Sequence, residues 1–398
     1  MPDPEHNTSE GLLEPLLAAA LPELYRANAF RILGLPVDAT ERSIKRQAER
    51  VQLMEKFGGA GALRTVGPLP LNPEPGLDDI REAIHRLNSP ERRLFDEVFW
   101  FWPAQTGGDS ADDPALAALA KHDLKTATRI WYARAESDEH GLATHNVAVL
   151  YHAAALDLEY IPEVKPLSVN LRKLQSAYWV EAFARWRMVL KDERFWRRLE
   201  SRIGELNDPR LTPETATQLR KTLPLLLLLI NAHLALRAVG EGDNEEAERQ
   251  KQLMRGSGFD EATIEGALRR ASEQVIERVT IMCVASEPEA GADPSRAGEV
   301  TRRLLEGAGG LIKEVENLLP GDGLADELRD EVALCALNCI ITFGQEPGTW
   351  RSALELLERA RPFAVSSGVC ERMDDLRAHL LRFAYQPERA KATGLETV

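Results

Sequence analysis

Histidine and cysteine side chains are the first residues of this chain that could do chemistry. His140, His145 and His152 lie close together, and the last two share a helical face because they are seven residues apart. Cys335 and Cys339 are four residues apart on a segment with helical patterning. A metal site needs three or four ligands that converge, and no such set is visible in the sequence. We therefore predict that these side chains are structural and that the chain binds no metal.

The glycine-rich segment Gly58-Gly-Ala-Gly61 resembles a loop that cradles phosphate. Such a loop follows a strand and opens a helix whose amides point at the phosphate, whereas here a helix precedes the glycines and a proline-rich loop follows them. No nucleophile elbow, zinc-protease helix or catalytic Cys/His arrangement stands out. We predict no cofactor and no enzymatic activity, and an enzyme whose site is assembled from distant residues stays open as an alternative.

Residues 170–202 form a basic and aromatic segment, with nine Lys/Arg against four Asp/Glu in a chain of net charge -14. Such a segment can stack on single-stranded nucleic acid, or it can pack as a helix pair with Arg stems over aromatic rings. The helical spacing of Trp179, Phe183 and Trp186 favours the packed core. Because phosphate contacts need a basic surface, the acidic charge of the whole chain also disfavours nucleic acid as a partner.

Length and composition limit the number of domains and the environment that the chain can occupy. The 398 residues allow two or three domains, or one small domain followed by an extended array. Four scattered Cys are too few for a disulfide framework, which indicates a reducing cytoplasm. The start of the chain lacks the basic stretch of a signal peptide. The strongest apolar block, residues 223–230, is interrupted by Pro224 and is shorter than the roughly 20 residues that cross a bilayer, so we predict a buried helix and no membrane association.

Two separated stretches carry a family resemblance. Residues 28–45 have the sequence Asn-Ala-Phe-Arg-Ile-Leu-Gly-Leu-Pro-Val-Asp-Ala-Thr-Glu-Arg-Ser-Ile-Lys, and residues 82–97 have Glu-Ala-Ile-His-Arg-Leu-Asn-Ser-Pro-Glu-Arg-Arg-Leu-Phe-Asp-Glu. Together they resemble the two ends of a J-domain, the module that docks on heat-shock ATPase chaperones. The resemblance implies a short first helix, a long basic second helix, and two further helices after a connecting loop.

Local signals predict the same helices without the family. Gly34 and Pro36 end the first helix, and Asp38 or Thr40 can cap the second. Residues 58–76 are a Gly/Pro loop, and a third helix over about residues 77–88 ends before Pro90, because the residue before a proline is pushed out of the helical region. A short aromatic helix follows and stops at Pro103.

The resemblance also singles out candidate partner-binding residues. In J-domain proteins the basic second helix and a His-Pro-Asp loop contact the ATPase, and aligned on Ile44 that loop falls on Lys56-Phe57-Gly58. The trigger for ATP hydrolysis is therefore missing, while the basic helix is kept at Arg42, Lys45, Arg46 and Arg50. Four adjacent rings must contact another part of the chain or a partner: Phe99, Trp100, Phe101 and Trp102.

The rest of the chain is helical by pattern, since apolar residues recur every three or four positions from about residue 115 almost to the end. Ala127 and Trp131 on one helix, then Ala148 and Tyr151 on the next, resemble tetratricopeptide repeats. A second stretch of this kind begins at Trp350 and ends before Pro362. Gly, Pro and Asp/Asn punctuation indicates short helices in series, as in a helical-hairpin array. No clean repeat is visible between about residues 160 and 345, so the array is degenerate there or the fold is a different helical bundle.

We therefore predict an all-α chain. It has an N-terminal extension over residues 1–23, a J-domain-like module over 24–104, a linker over 105–114, a helical-hairpin array over 115–386 with tetratricopeptide-like parts at 115–159 and 346–366, and a tail over 387–398. The predicted function is a cytoplasmic, co-chaperone-like adaptor that binds a protein partner, with a heat-shock ATPase as one candidate. A true co-chaperone that uses an unconventional loop on a divergent ATPase is the other alternative.

Overall fold

The computed structural model describes residues 14–57, 67–104, 113–160 and 167–384. These residues form helices and no β-strand, which confirms the all-α prediction. In chain order the N-terminal helices are α1 (Ala29–Leu33), α2 (Glu41–Phe57), α3 (Leu77–Leu87) and α4 (Pro90–Val98). Residues 14–19 are also helical.

The longer helices follow. They are α5 (Pro114–Ala120), α6 (Leu124–Arg134), α7 (Leu142–Glu159), α8 (Val169–Lys191), α9 (Glu193–Leu206), α10 (Pro213–Glu241), α11 (Asn244–Arg255) and α12 (Glu261–Ala292). A 3₁₀ turn, Pro294–Arg296, leads to α13 (Ala297–Leu318), α14 (Leu324–Gly344) and α15 (Trp350–Ala360). A second 3₁₀ turn, Arg361–Phe363, precedes α16 (Ser367–Ala384).

Caps at the N-terminal helices agree with the local signals. Gly34 ends α1 in the left-handed conformation with φ 63°, which a residue without Cβ adopts readily. The hydroxyl of Thr40 accepts a hydrogen bond from the Ser43 N–H at 3.3 Å, so Thr40 caps α2. Helix α3 ends at Leu87 and α4 begins with Pro90 at its first position, as the sequence predicts.

Two prolines lie inside helices instead of ending them. Pro224 lies inside the 29-residue α10, and Pro288 lies inside the 32-residue α12. An internal proline costs a helix about 3 kcal/mol, but residues 226–230 are almost fully buried, and burial of such side chains stabilises by roughly 1.5–3 kcal/mol each. Tertiary packing therefore overrides the local signal, and the middle of the chain consists of long helices instead of the expected short ones.

Helix α10 is the one described helix that is long and apolar enough to span a membrane by length and composition. Of its most apolar 18-residue window, 67% is buried inside the protein. Burial of this kind is typical of a core helix, as the sequence predicts for residues 223–230.

The chain divides into two compact units. The first contains residues 1–233 and 250–264, and the second contains residues 234–249 and 265–398. Helices α1–α4 and α5–α9, on either side of the linker predicted at residues 105–114, belong to the same unit.

The second unit has its own apolar core, built from α12 to α16. Ala353, Leu357 and Ala360 of α15 are buried in it, and the helix ends just before Pro362, as the pattern from Trp350 predicts. Cys283 is buried in this core and Cys335 is half-buried against it, while Cys339 is buried in a separate small cluster with Ala290, Ala297 and Val300. The packing of Cys335 and Cys339 agrees with the structural role predicted for them.

Candidate functional site

The four aromatic residues at positions 99–102 lie after the end of α4, not within a helix as predicted. Each side chain is at most 3% exposed, and Phe101 stacks on Trp131 of α6 with ring centroids 5.6 Å apart. The Trp102 N–H donates to Asn146 Oδ1 at 2.8 Å, and Asn146 Nδ2 donates back to the Trp102 carbonyl at 2.7 Å. The prediction that these rings bind a partner is wrong, because their burial leaves no surface to bind with. The alternative prediction, that they pack against the following helices, is confirmed.

Charged residues also hold the N-terminal helices against the helices that follow them. The Arg31 guanidinium binds both carboxylate oxygens of Asp157 on α7, at 2.9 and 2.7 Å. Glu97 is fully buried and accepts hydrogen bonds from Arg93 at 2.9 Å and from Arg202 of α9 at 2.7 and 2.8 Å. A buried carboxylate is stable only when its hydrogen bonds are satisfied, so these pairs fix the N-terminal helices against α7 and α9.

His145 and His152 lie on one face of α7, as their spacing predicts, inside the aromatic core. His145 stacks on Phe195, with centroids 4.6 Å apart, and its Nε2 is 2.6 Å from the Val98 carbonyl. His152 Nδ1 is 3.1 Å from the Tyr25 hydroxyl, and its ring packs edge-on to Trp179. Burial lowers the pKa of His145 to about 4 and that of His152 to about 3. Both are therefore neutral core histidines, and the described residues contain no group of three side chains that could hold a metal.

The basic and aromatic segment over residues 170–202 is also mainly structural. Trp179, Phe183 and Trp186 are buried, and the Arg198 guanidinium lies 5.1 Å from the centroid of Trp102. The prediction that Arg stems cover aromatic rings in a packed core is confirmed.

The predicted basic face of α2 is exposed. Its four cations lie on the solvent side of the helix: Arg42, Lys45, Arg46 and Arg50. Ile44 and Val51 are buried on the opposite side. None of the four cations forms an ion pair with another described residue, so the face is available to an acidic partner. Helix α2 ends at Phe57; Gly58, the rest of the glycine-rich segment and the side chains of residues 56 and 57 lie outside the described part of the chain.

A groove with a volume of about 540 Å³ opens on the surface of the first unit, between α6, α7 and α8. Small residues position these helices, because Ala127 of α6 and Ala148 of α7 are fully buried and allow close approach. The groove is lined by residues from all three helices: Leu124, Lys125, Thr128, Arg129 and Tyr132 of α6, Leu150, Tyr151 and Ala154 of α7, and Tyr178 of α8.

Three tyrosines define the groove wall. The rings of Tyr151 and Tyr178 are 5.8 Å apart, and the hydroxyls of Tyr132 and Tyr151 are 3.5 Å apart. The Arg185 guanidinium lies 4.9 Å from the centroid of the Tyr132 ring, and Arg185 is ion-paired with Glu181 at 3.2 Å. Burial raises the pKa of Tyr151, so its hydroxyl keeps its proton and can donate a hydrogen bond at physiological pH.

The α6 side of the groove is positively charged. Lys125 and Arg129 are both exposed, and neither forms an ion pair with a described residue. The Asp123 carboxylate caps α6, and the hydrogen bonds from Thr126, together with these two cations, lower its pKa. The groove therefore combines aromatic surface with two available cations.

A second groove, of about 530 Å³, lies between residues 15–24 and helices α3 and α4. Its cations are already paired, because Arg92 binds Glu82 at 3.2 Å and Arg86 binds the buried Asp96. This groove therefore offers a ligand less charge than the one lined by tyrosines.

Sequence reasoning missed most of the tyrosine groove. The sequence pattern predicts a repeat helix for Tyr151 and a basic and aromatic segment for Tyr178, but it assigns no role to Lys125, Arg129 or Tyr132. The available signal was their spacing of four and three residues, which places them on one face of α6.

Comparison with known proteins identifies no relative: no family model, no curated protein and no solved structure matches this chain. The fold and the site therefore define a class only, an all-α protein of two compact units with an open aromatic groove on the first.

Proposed function

We propose that this chain is a non-enzymatic adaptor that binds a protein partner through the tyrosine groove of α6, α7 and α8. The groove itself carries the proposal. Binding sites are concave and mostly apolar with a few placed polar groups, and tyrosine and arginine are enriched where proteins bind one another. The three tyrosines and two cations of the groove have this composition.

The N-terminal helices support a co-chaperone-like relationship. The order of α1 to α4, the exposed basic face of α2 and the resemblance to both ends of a J-domain favour a protein partner of the chaperone class. Because Lys56-Phe57-Gly58 replaces the His-Pro-Asp tripeptide, we expect no stimulation of a conventional heat-shock ATPase. The four free cysteines favour a reducing cytoplasm as the place of action.

A true co-chaperone is the second candidate, favoured by the exposed cations of α2. A steady-state assay of a heat-shock ATPase with the full chain separates the two candidates. The adaptor proposal predicts an unchanged hydrolysis rate, and a rate increase that the substitutions Arg42→Glu, Lys45→Glu and Arg46→Glu abolish would establish the co-chaperone instead. The enzyme alternative has no specific observation in its favour.

Photo-crosslinking tests the groove directly. We would replace Tyr132 by p-benzoyl-phenylalanine, a bulkier aromatic residue, and irradiate the full chain in its native host. The matched control carries the same residue at Glu200, which is exposed on α9 outside the groove. We expect a protein adduct from position 132 and none of the same mass from position 200. Equal adducts from both positions, or none from position 132, would reject the groove as the binding element.

A further inference from the structure

We propose that the tyrosine groove binds an extended, proline-containing peptide segment with acidic side chains, supplied by the partner protein. This inference rests on the proposed function and names the ligand class of the same site. It follows from the shape of the groove, from its hydrogen-bonding groups and from its charge.

The groove walls are helices, whose backbone N–H and C=O groups are already paired within each helix. A peptide therefore cannot dock here by adding a β-strand, because that mode needs a free sheet edge. The hydrogen bonds must come from side chains, and the groove provides the hydroxyls of Tyr151 and Tyr178 together with the cations Lys125 and Arg129 as donors.

An extended polyproline-type segment matches these donors. Its carbonyls have no internal hydrogen bonds and point outward, and it is ordered before it binds, so less conformational entropy is lost on docking. Aromatic-lined grooves recognise such segments by packing prolyl rings against the aromatic faces. The Tyr151 and Tyr178 rings, 5.8 Å apart and tilted by 45°, offer adjacent faces of this kind.

The positive charge on the α6 side of the groove favours a peptide with acidic side chains. Lys125 and Arg129 are exposed on the α6 side without an ion-pair partner among the described residues, while Arg185 is already paired with Glu181. In a chain of net charge -14 these two cations are a local exception that attracts carboxylates and orients the peptide.

The test is a fluorescence-anisotropy titration of the full chain with labelled synthetic peptides. The probe is three repeats of Pro-Glu-Leu-Pro. One control replaces each Glu by Lys, a second replaces each Pro by Gly, and a third ligand is oligothymidylate of similar length. We expect the acidic proline peptide to bind at least about tenfold more tightly than each control, a difference that a single well-placed interaction can provide.

Variants assign the binding to named side chains. The double substitution Lys125→Glu/Arg129→Glu should weaken the acidic proline peptide about tenfold, whereas Arg302→Glu/Lys313→Glu makes the same charge change at exposed positions elsewhere and should have no effect. Tyr178→Ala should weaken binding more than Tyr178→Phe, which keeps the ring. Circular dichroism of each variant checks that it folds.

Three outcomes would overturn the inference: equal binding of the lysine peptide, tighter binding of oligothymidylate that depends on the same residues, or no binding of the acidic proline peptide at about 1 mM, where even a weak specific site is detected. If any of these outcomes occurs but position 132 still gives a protein adduct, the proposed function stands and only the ligand class is rejected. If neither a protein adduct from position 132 nor binding of the acidic proline peptide is found, the proposed function and the ligand class are both rejected.

Discussion

At the scale of single residues, the N-terminal helices depend on buried polar side chains more than their sequence suggests. Asn28 is fully buried; its Oδ1 accepts from the N–H groups of Phe30 and Arg31, and its Nδ2 donates to the Asp96 carbonyl at 2.9 Å. One side chain thus caps α1 and ties it to α4.

Replacing Asn28 by Ala should lower the free energy of unfolding by about 2–4 kcal/mol, because a lost cap costs about 1 kcal/mol and an unsatisfied buried group about 1–3 kcal/mol. Urea unfolding of the full chain measures this. Asn28→Ser keeps a cap acceptor and loses the amide donor, so it should be less destabilising than Asn28→Ala. Equal stability of wild type and Asn28→Ala would contradict this role.

The two core histidines predict a pH dependence. Both imidazoles stay neutral in the folded chain down to about pH 4 and pH 3, whereas in the unfolded chain they bind protons below a pKa of 6.5. The unfolded state then binds more protons, so stability is fully present above pH 6.5 and decreases as the pH falls toward 4. At pH 5 the loss from both histidines is about 4 kcal/mol.

Thermal unfolding between pH 7 and pH 5 checks this expectation. His152→Gln removes one titrating group, so its loss of stability over that range should be about 2 kcal/mol smaller than that of the wild type. An identical pH dependence in both proteins would show that His152 is not responsible.

At the scale of elements, the helix ends that local chemistry determines could be predicted, and those that depend on burial could not. Gly34, Thr40 and Pro90 act through their own backbone or side chain, and each ends or begins a helix where expected. Pro224 and Pro288 lie inside helices, and for Pro224 the burial of residues 226–230 outweighs the local signal.

The joint between α4 and the following helices predicts a proteolysis pattern. Cleavage within residues 58–76 or 105–114 should leave the N-terminal helices attached, because Trp102, Asn146 and the Arg31–Asp157 pair join them to α7. Size-exclusion chromatography of the nicked chain should show a single species. Release of a stable, soluble fragment that ends near residue 104 would show that the aromatic residues are not the joint.

Helix α2 allows a test of its basic face. If that face contributes to binding, Arg42→Glu/Lys45→Glu/Arg46→Glu should abolish recovery of the partner in affinity purification from the native host and leave helicity unchanged. The reversal Arg302→Glu/Lys313→Glu/Arg372→Glu, at exposed positions of the second unit, is the charge-matched control. Undiminished recovery with the α2 variant would leave the tyrosine groove as the binding element.

At the scale of the whole molecule, the sequence predicts the all-α class but not the division into units. Periodicity indicates which face of a helix is buried but not which helix covers it, so the sequence alone does not show that α1–α4 and α5–α9 form one unit. The groove could not be predicted from the sequence either. Its residues lie on three helices between Leu124 and Tyr178, and only the packing of these helices brings them together.

The measurement that tests the central claim most directly is hydrogen–deuterium exchange of the full chain, alone and with the partner identified by crosslinking. Binding in the groove predicts slower exchange in α6, in the middle of α7 around Tyr151 and in α8 around Tyr178, with no such change in the second unit. Protection confined to α2 or to the second unit, with unchanged exchange in α6–α8, would contradict the claim that the tyrosine groove binds the partner.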